Sequence, residues 1–127
     1  MKQNSCSVPK AFRNVIGDCT ASFATSKQEE AAFGKALKPG VNASDPTYEA
    51  WVYQTDEGSI AYSGDIGSYP GNGYMITLGE TRAESEAILA DLKANKWIDE
   101  QTRAIMIDFT SYNGNVNLFN QIRFAFL

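Results

Sequence analysis

Apolar residues fall at every second position in two stretches toward the C-terminal end of the chain. Ile105, Ile107 and Phe109 follow Arg103 with this period, and Val116, Leu118, Ile122, Phe124 and Phe126 resume it. Alternate side chains of a strand point to opposite faces, so the pattern predicts two half-buried strands. Between them, Tyr112-Asn113-Gly114-Asn115 predicts a hairpin turn, because Asn and Gly readily take positive φ. No other stretch carries as much apolar periodicity. The hairpin is therefore expected at the centre of an antiparallel sheet, with the remaining elements packed on or beside it.

The clearest helical pattern covers 82–95. Thr81 suits its N-cap, Glu84 stands where a capping box needs an acid, and Glu80 favours the positive helix end. Ser85, Ile88, Leu89 and Leu92 share a face that is expected to cover the sheet, while Glu84, Glu86, Asp91 and Lys93 face water. Trp97 and Ile98 are expected to bury the junction with the hairpin. Shorter elements come earlier. A helix is expected between Cys6 and Cys19, opened by Ser7 and Pro9, closed by Gly17, and apolar along Phe12, Val15 and Ile16. Another begins at Ser26-Lys27-Gln28-Glu29-Glu30, runs through Phe33 and is stopped before Lys38-Pro39-Gly40. Residues 48–54 read as a strand with aromatics on both sides. Ile60-Ala61-Tyr62 reads as a short return strand after a turn at Asp56-Glu57-Gly58. Gly64, Gly67, Gly71 and Gly73, with Tyr69 and Tyr74 among them, read as an aromatic-pinned turn system leading to a strand over 74–78. The expected class is α+β, an antiparallel sheet with helices on one side or at one end.

At 127 residues the chain suits one domain with a real core that need not depend on covalent staples. Its 11 basic and 15 acidic residues leave a net charge of -4. The acidic excess lies in 48–127, the sheet-forming part, which makes nucleic acid a poor partner. No run approaches the roughly 18 apolar residues that cross a bilayer, and Met1-Lys2-Gln3-Asn4 has no apolar core of a signal peptide. Phe124-Ala125-Phe126-Leu127 closes the chain without a polar terminator. That ending predicts a domain cut from a longer polypeptide, with a natural terminal strand as the alternative.

Histidine is absent, which removes the commonest neutral-pH acid/base and with it the usual serine, cysteine and zinc hydrolase sites. Asp99, Glu100 and Asp108 are the carboxylates nearest the hairpin. A glycoside hydrolase would need two of them across a cleft; Asp108, opposite in facing to Ile107 and Phe109, reads instead as a solvent-facing residue, and Arg103 as a partner for a carboxylate. Asp108 with Asn113, Asn115 and Asn117 could supply oxygen ligands to calcium, yet no EF-hand spacing is present and the asparagines are more economically turn formers. The glycine loop lacks the spacing of a phosphate cradle. No catalytic residue, cofactor or metal is therefore assigned. Cys6 and Cys19 could close a loop of about 14 residues, worth nominally about 3 kcal/mol, or remain reduced as small hydrophobes. Asn42-Ala43-Ser44 is an N-glycosylation acceptor followed by the turn signal Asp45-Pro46. Beside a possible disulfide it points to an extracellular or luminal setting.

Trp97-Ile98-Asp99, Thr102-Arg103-Ala104, Asp108-Phe109-Thr110 and above all Tyr112-Asn113-Gly114-Asn115-Val116-Asn117-Leu118-Phe119 resemble the end of the large extracellular domain of polycystin channels, transient receptor potential cation channels. The resemblance extends back through Leu78-Gly79 and Gly71-Asn72-Gly73-Tyr74 to Glu49-Ala50-Trp51-Val52-Tyr53 and the paired Cys6 and Cys19. It departs at Asn120, where many relatives place a cysteine, and is slight over 20–47. The resemblance implies a single domain over 1–127, lying between the first two transmembrane helices of a channel subunit, with loop and finger-like extensions. It implies no enzymatic activity. It further implies a four-fold lid over a cation pore, partnered by neighbouring subunits and its own pore domain, in ciliary, flagellar or other membranes, with calcium transport among its consequences. Cys6 and Cys19 would form the disulfide of the finger. Gly71 to Tyr74 and Tyr112 to Phe119 would shape domain contacts, and the isolated domain would be monomeric or weakly associating. The alternative is an independent extracellular module binding a glycan or peptide through Trp51, Tyr53, Tyr69 and Tyr74.

Overall fold

The computed structural model describes residues 1–3, 8–17, 19, 23–55, 61–65 and 67–127. In chain order, single 3-10 turns at Lys10–Phe12, Thr25–Lys27, Gly34–Leu37 and Tyr48–Trp51 precede a short ladder of β1 (Tyr62–Ser63) with β2 (Ser68–Tyr69). Helix α1 (Arg82–Ala94) and a long hairpin of β3 (Ile105–Asn113) and β4 (Leu118–Phe126) follow. Both sheets are two-stranded and antiparallel, so the fold is α+β as the sequence predicts.

The core does not form on the hairpin. It centres on Ala50, Trp51 and Leu92, with Phe33, Ala36, Ile76, Ile88 and Trp97 packed around them. The strand expected over 48–54 is replaced by the turn Tyr48–Trp51. A strand would send neighbours Ala50 and Trp51 to opposite faces, whereas both have no exposed surface, and a tight turn lets both point inward. Asp45 starts that turn. Its carboxylate accepts from the Thr47 N–H at 2.9 Å and its carbonyl from the Tyr48 N–H at 3.0 Å. Across from it, the Phe33 N–H donates to the Trp51 carbonyl at 3.1 Å. Gly34, at φ 54°, brings the backbone onto the indole: a Cβ there would lie 2.6 Å from two of its ring carbons.

The segment 74–78 forms no ladder either. Gln54 and Gly73 exchange both backbone hydrogen bonds, and the Gln54 amide donates to the Met75 carbonyl at 2.7 Å, so one side chain takes over part of a strand's work. The helices expected near the chain start shrink to isolated turns. Lys10–Phe12 is one turn only, and Phe12, Val15 and Ile16 remain exposed instead of forming a packed face. The helix expected from Ser26 through Phe33 becomes the separate turns Thr25–Lys27 and Gly34–Leu37; Gly40, at φ 84°, ends the second region. The return strand survives as β1, with Ile60 and the turn at 56–58 outside the described residues. Tyr69 on β2 is buried by stacking on Phe23, 4.8 Å between ring centres.

Helix α1 begins as its sequence predicts. The Thr81 hydroxyl accepts from the Glu84 N–H at 3.3 Å, and the Glu84 carboxylate accepts from the Thr81 N–H at 3.1 Å. At its other end the Lys96 N–H bonds Lys93 at 3.2 Å and the Trp97 N–H bonds Leu92 at 2.9 Å, a Schellman ending with Lys96 at φ 56° where glycine is usual. That reversal folds Trp97 back onto the core, where its indole N–H donates to the Ala50 carbonyl at 2.6 Å. Ile98 is carried outward and stays exposed, contrary to the expected burial of both residues. Ile88 and Leu92 face the Trp51 core, Leu89 stays exposed, and the helix does not cover the hairpin. Alternation along β3 and β4 shows which side chains share a face; it carries no information on what covers that face.

Candidate functional site

The register of the hairpin runs without interruption from Ile105 opposite Phe126 to Asn113 opposite Leu118. One face therefore carries Ile105, Ile107 and Phe109 opposite Phe126, Phe124 and Ile122. The other pairs Met106 with Ala125, Asp108 with Arg123, Thr110 with Gln121 and Tyr112 with Phe119. Both faces keep apolar groups in water: Phe109 is 46%, Phe124 52% and Phe119 71% exposed, well above what a packed sheet centre allows. Cross-strand aromatic contacts hold them in place, with ring centres 6.0 Å apart for Phe109 and Phe124 and 4.7 Å for Tyr112 and Phe119. The turn lies at 114–117, later than 112–115, because Tyr112 and Asn113 still pair in the ladder. Positive φ falls on Asn117, at 53°.

The polar residues of the hairpin are engaged with one another. Arg123 reaches Asp108 through two nitrogens at 2.6 and 2.8 Å, and these hydrogen bonds hold the Asp108 carboxyl below its ordinary pKa. Asn113 accepts from the Asn115 N–H at 3.0 Å, and Asn117 accepts from the Tyr112 hydroxyl at 2.9 Å. These asparagines act as turn formers, the more economical of the two expectations. Arg103 takes no carboxylate among the described residues: its guanidinium donates to the Glu100 carbonyl at 3.1 Å, and Asp99 lies 2.6 Å from Lys2 instead. Lys2 thereby ties the hairpin root to the core, since its buried ammonium also sits 4.0 Å above the Phe33 ring. Burial pulls that ammonium below its ordinary pKa, and the bond to Asp99 opposes the fall.

A second polar cluster fastens α1 to the turns before it. The Lys35 ammonium donates to Asp45 at 3.0 Å, to the Thr47 hydroxyl at 2.9 Å and to Asp91 at 3.0 Å. The Lys35 bond holds Asp45 below the ordinary carboxylate pKa, helped by Thr47. For Asp91 burial pushes upward, but Thr47 and Lys35 outweigh it and the net direction is also down.

The other residues singled out by sequence are structural. Trp51, Tyr69 and Tyr74 are almost wholly buried and Tyr53 is half-buried, so they do not line an exposed groove. Phe33 packs on Trp51 at 5.1 Å and edge-on to Tyr74 at 4.7 Å. The Tyr74 hydroxyl donates to the carbonyls of Glu29 and Ala31 at 3.1 and 2.7 Å, and burial pushes its pKa up to about 12. Gly73 is buried in its bridge with Gln54, and Gly71 is half-buried two residues before it. Cys6 lies outside the described residues, among which no free cysteine is found. Asn42 is exposed in a turn. No group of three candidate ligand side chains gathers among the described residues. Lys96, Ile98, Asp99, Glu100 and Gln101 line an open depression. Sequence reasoning missed Lys2, Gly34, Lys35 and Arg123, all of which act through partners far along the chain. For Gly34 alone the sequence held a cue, a glycine directly after an aromatic in a polar stretch.

Comparison with known proteins bears on what such a domain belongs to. The family model described as "Polycystin domain" matches residues 1–126. Over 97% of its length the chain is 36% identical to polycystin-2 of Danio rerio, 34% to polycystin-2 of Caenorhabditis elegans and 32% to polycystin-2-like protein 2 of Mus musculus. It spans 13%, 16% and 18% of those proteins, respectively. The exposed hairpin of β3 and β4, which carries Tyr112, Asn113, Asn117 and Phe119 at and beside its turn, is thus part of a chain that belongs to the polycystin-domain family.

Proposed function

We propose that residues 1–127 act as the extracellular or luminal, non-catalytic domain of a polycystin-type cation channel, joining neighbouring subunits above the pore and taking part in gating. The observation that carries this reading is the β3–β4 hairpin, which holds aromatic and aliphatic side chains half in water on both faces. An apolar surface of this extent on a rigid ladder is characteristic of an interaction site, and removing it from water contributes about 25 cal/mol per Å². The ions cross elsewhere in the polypeptide; the domain contributes contacts, to neighbouring subunits and to its own pore domain. Phe12, Val15 and Ile16, exposed on the segment between Cys6 and Cys19, form a second candidate contact. A disulfide between those cysteines holds its ends, and non-reducing peptide mapping that finds two free thiols in oxidised protein would remove this part of the reading.

The test is made on the complete channel polypeptide carrying Phe109→Ser with Phe124→Ser, or Phe119→Ser alone. Native electrophoresis and current recordings are expected to show fewer tetramers and altered gating, while the thermal melting of residues 1–127 carrying Phe119→Ser stays near that of the parent. Unchanged assembly and currents in both variants would falsify the assignment of the hairpin to subunit contact.

A further inference from the structure

We propose that Asn113 is a site of spontaneous deamidation, which the fold leaves open at the hairpin turn while closing the same chemistry at Asn72. Asn72-Gly73 and Asn113-Gly114 are the two Asn-Gly steps in the 127 residues. An asparagine before glycine loses its amide most readily, because no side chain on the next residue hinders attack by that residue's backbone nitrogen. By sequence the two steps are equal, but their surroundings differ. Gly73 is buried, its N–H donates to the Gln54 carbonyl at 3.0 Å, and the Asn72 carbonyl accepts from the Gln28 side chain at 3.5 Å. Attack by the Gly73 nitrogen would break the bridge between Gln54 and Gly73. Asn113 and Gly114 are both exposed, and the Gly114 N–H has no hydrogen bond among the described residues. The Asn113 side-chain oxygen accepts from the Asn115 N–H at 3.0 Å. That bond turns the side chain toward the following peptide and draws electrons from the carbon to be attacked.

Hydroxide removes the Gly114 amide proton, and the nitrogen bonds to the side-chain carbonyl carbon of Asn113. The bond from that carbon to the amide nitrogen breaks, and ammonia leaves with the electron pair after taking a proton from water. The five-membered imide then takes up one water at either carbonyl, giving aspartate or isoaspartate. Nothing is oxidised or reduced, and no cofactor enters. Either product adds a negative charge at the hairpin tip of a chain whose net charge is already -4. Isoaspartate also inserts a methylene into the main chain beside the Asn113–Leu118 pair that closes the ladder. On the subunit-contact reading proposed above, both products place an anion beside the apolar contact; the conversion itself does not rest on that reading.

The experiment incubates the 127-residue chain in mildly alkaline buffer, folded below its urea transition and unfolded above it. Digestion at mildly acidic pH halts further conversion, and peptide mapping by mass spectrometry separates aspartate from isoaspartate. In the folded chain Asn113 is expected to convert several-fold faster than Asn72, with isoaspartate in excess, and in urea the two steps are expected to convert at similar rates. An Asn113 that stays intact in the folded chain, or converts no faster than Asn72, overturns the proposal. Aspartate without isoaspartate also overturns it, because direct hydrolysis bypasses the imide. Gly114→Ala supplies a second measurement: Gly114 is not left-handed, and a Cβ there would meet the Tyr112 ring at 3.7 Å, an ordinary contact that keeps the fold. Most of the conversion should be lost in this variant, and conversion at the parent's rate overturns attack by the Gly114 nitrogen. Mass reports conversion whether or not subunits assemble, so failure here removes this proposal alone and leaves the subunit-contact reading to its own test.

Discussion

Gly34 sets the closest approach in the core, where its missing side chain lets the backbone lie on the Trp51 ring. An alanine there meets two penalties, about 1–2 kcal/mol for a left-handed backbone and about 1–3 kcal/mol for overpacking. Gly34→Ala is expected to destabilise by roughly 3 kcal/mol, read as a lower urea midpoint at unchanged slope; a midpoint like the parent's would place Trp51 elsewhere. Lys35 gives stability a pH dependence of definite sign. Asp45 and Asp91 titrate below their ordinary range when folded, so the unfolded chain binds more protons in acid. Their contribution is complete above the unfolded carboxylate pKa, near 4, and is lost as pH falls through the folded values. The urea midpoint should drop steeply below about pH 4. Lys35→Met should reduce that drop, leaving the share that Asp108 owes to Arg123. If both proteins show one pH slope, the cluster is not its source.

Helix α1 is specified at both ends by local chemistry, but by different means. Thr81 and Glu84 were legible because a capping box is a fixed spacing within one turn. The ending was not legible, because Lys96 takes the conformation that glycine favours. A left-handed Lys costs about 1–2 kcal/mol, offset in a glycine variant by the extra freedom of its unfolded chain, about 0.5–1 kcal/mol. Lys96→Gly is therefore expected to stabilise by about 0.5 kcal/mol, and a lowered denaturation midpoint would refute the Schellman ending. Trp97, which that ending turns inward, is half-buried and bonded to Ala50. Its replacement by alanine should cost about 3 kcal/mol, seen in the same measurement. The strand expected over 48–54 failed for a related reason: alternating aromatics fit a strand and a tight turn equally, and the burial of Ala50 beside Trp51 required the turn.

For the whole molecule the consequence is a domain with two unlike parts, a small core around Trp51 and a hairpin that stands outside it. An apolar hairpin on a chain of net charge -4 sets attraction between copies against repulsion. Residues 1–127 should be monomeric or weakly associating at low salt and associate more as salt screens the charge over a Debye length of about 10 Å at 0.1 M. Equilibrium sedimentation at two salt concentrations checks this; stable tetramers at micromolar protein and low salt, or association that weakens with salt, would contradict it. Phe119→Ser should reduce the association while shifting folding stability by no more than about 1 kcal/mol, since its side chain is mostly in water.

By itself the sequence determined whatever depends on neighbours within a few positions: the two long strands, the facing of their side chains, the cap of α1, the glycine that ends 34–37, and the motif that marks the family. Tertiary structure decided which surfaces meet. It placed α1 against Trp51 and not on the hairpin, paired Asp108 with Arg123, gave Asp99 to Lys2 in place of Arg103, and turned the aromatics at 51, 69 and 74 inward. The physical reason is that periodicity reports only which side chains share a face. What covers that face depends on contacts between residues far apart in the chain, whose shapes and charges must fit together in space.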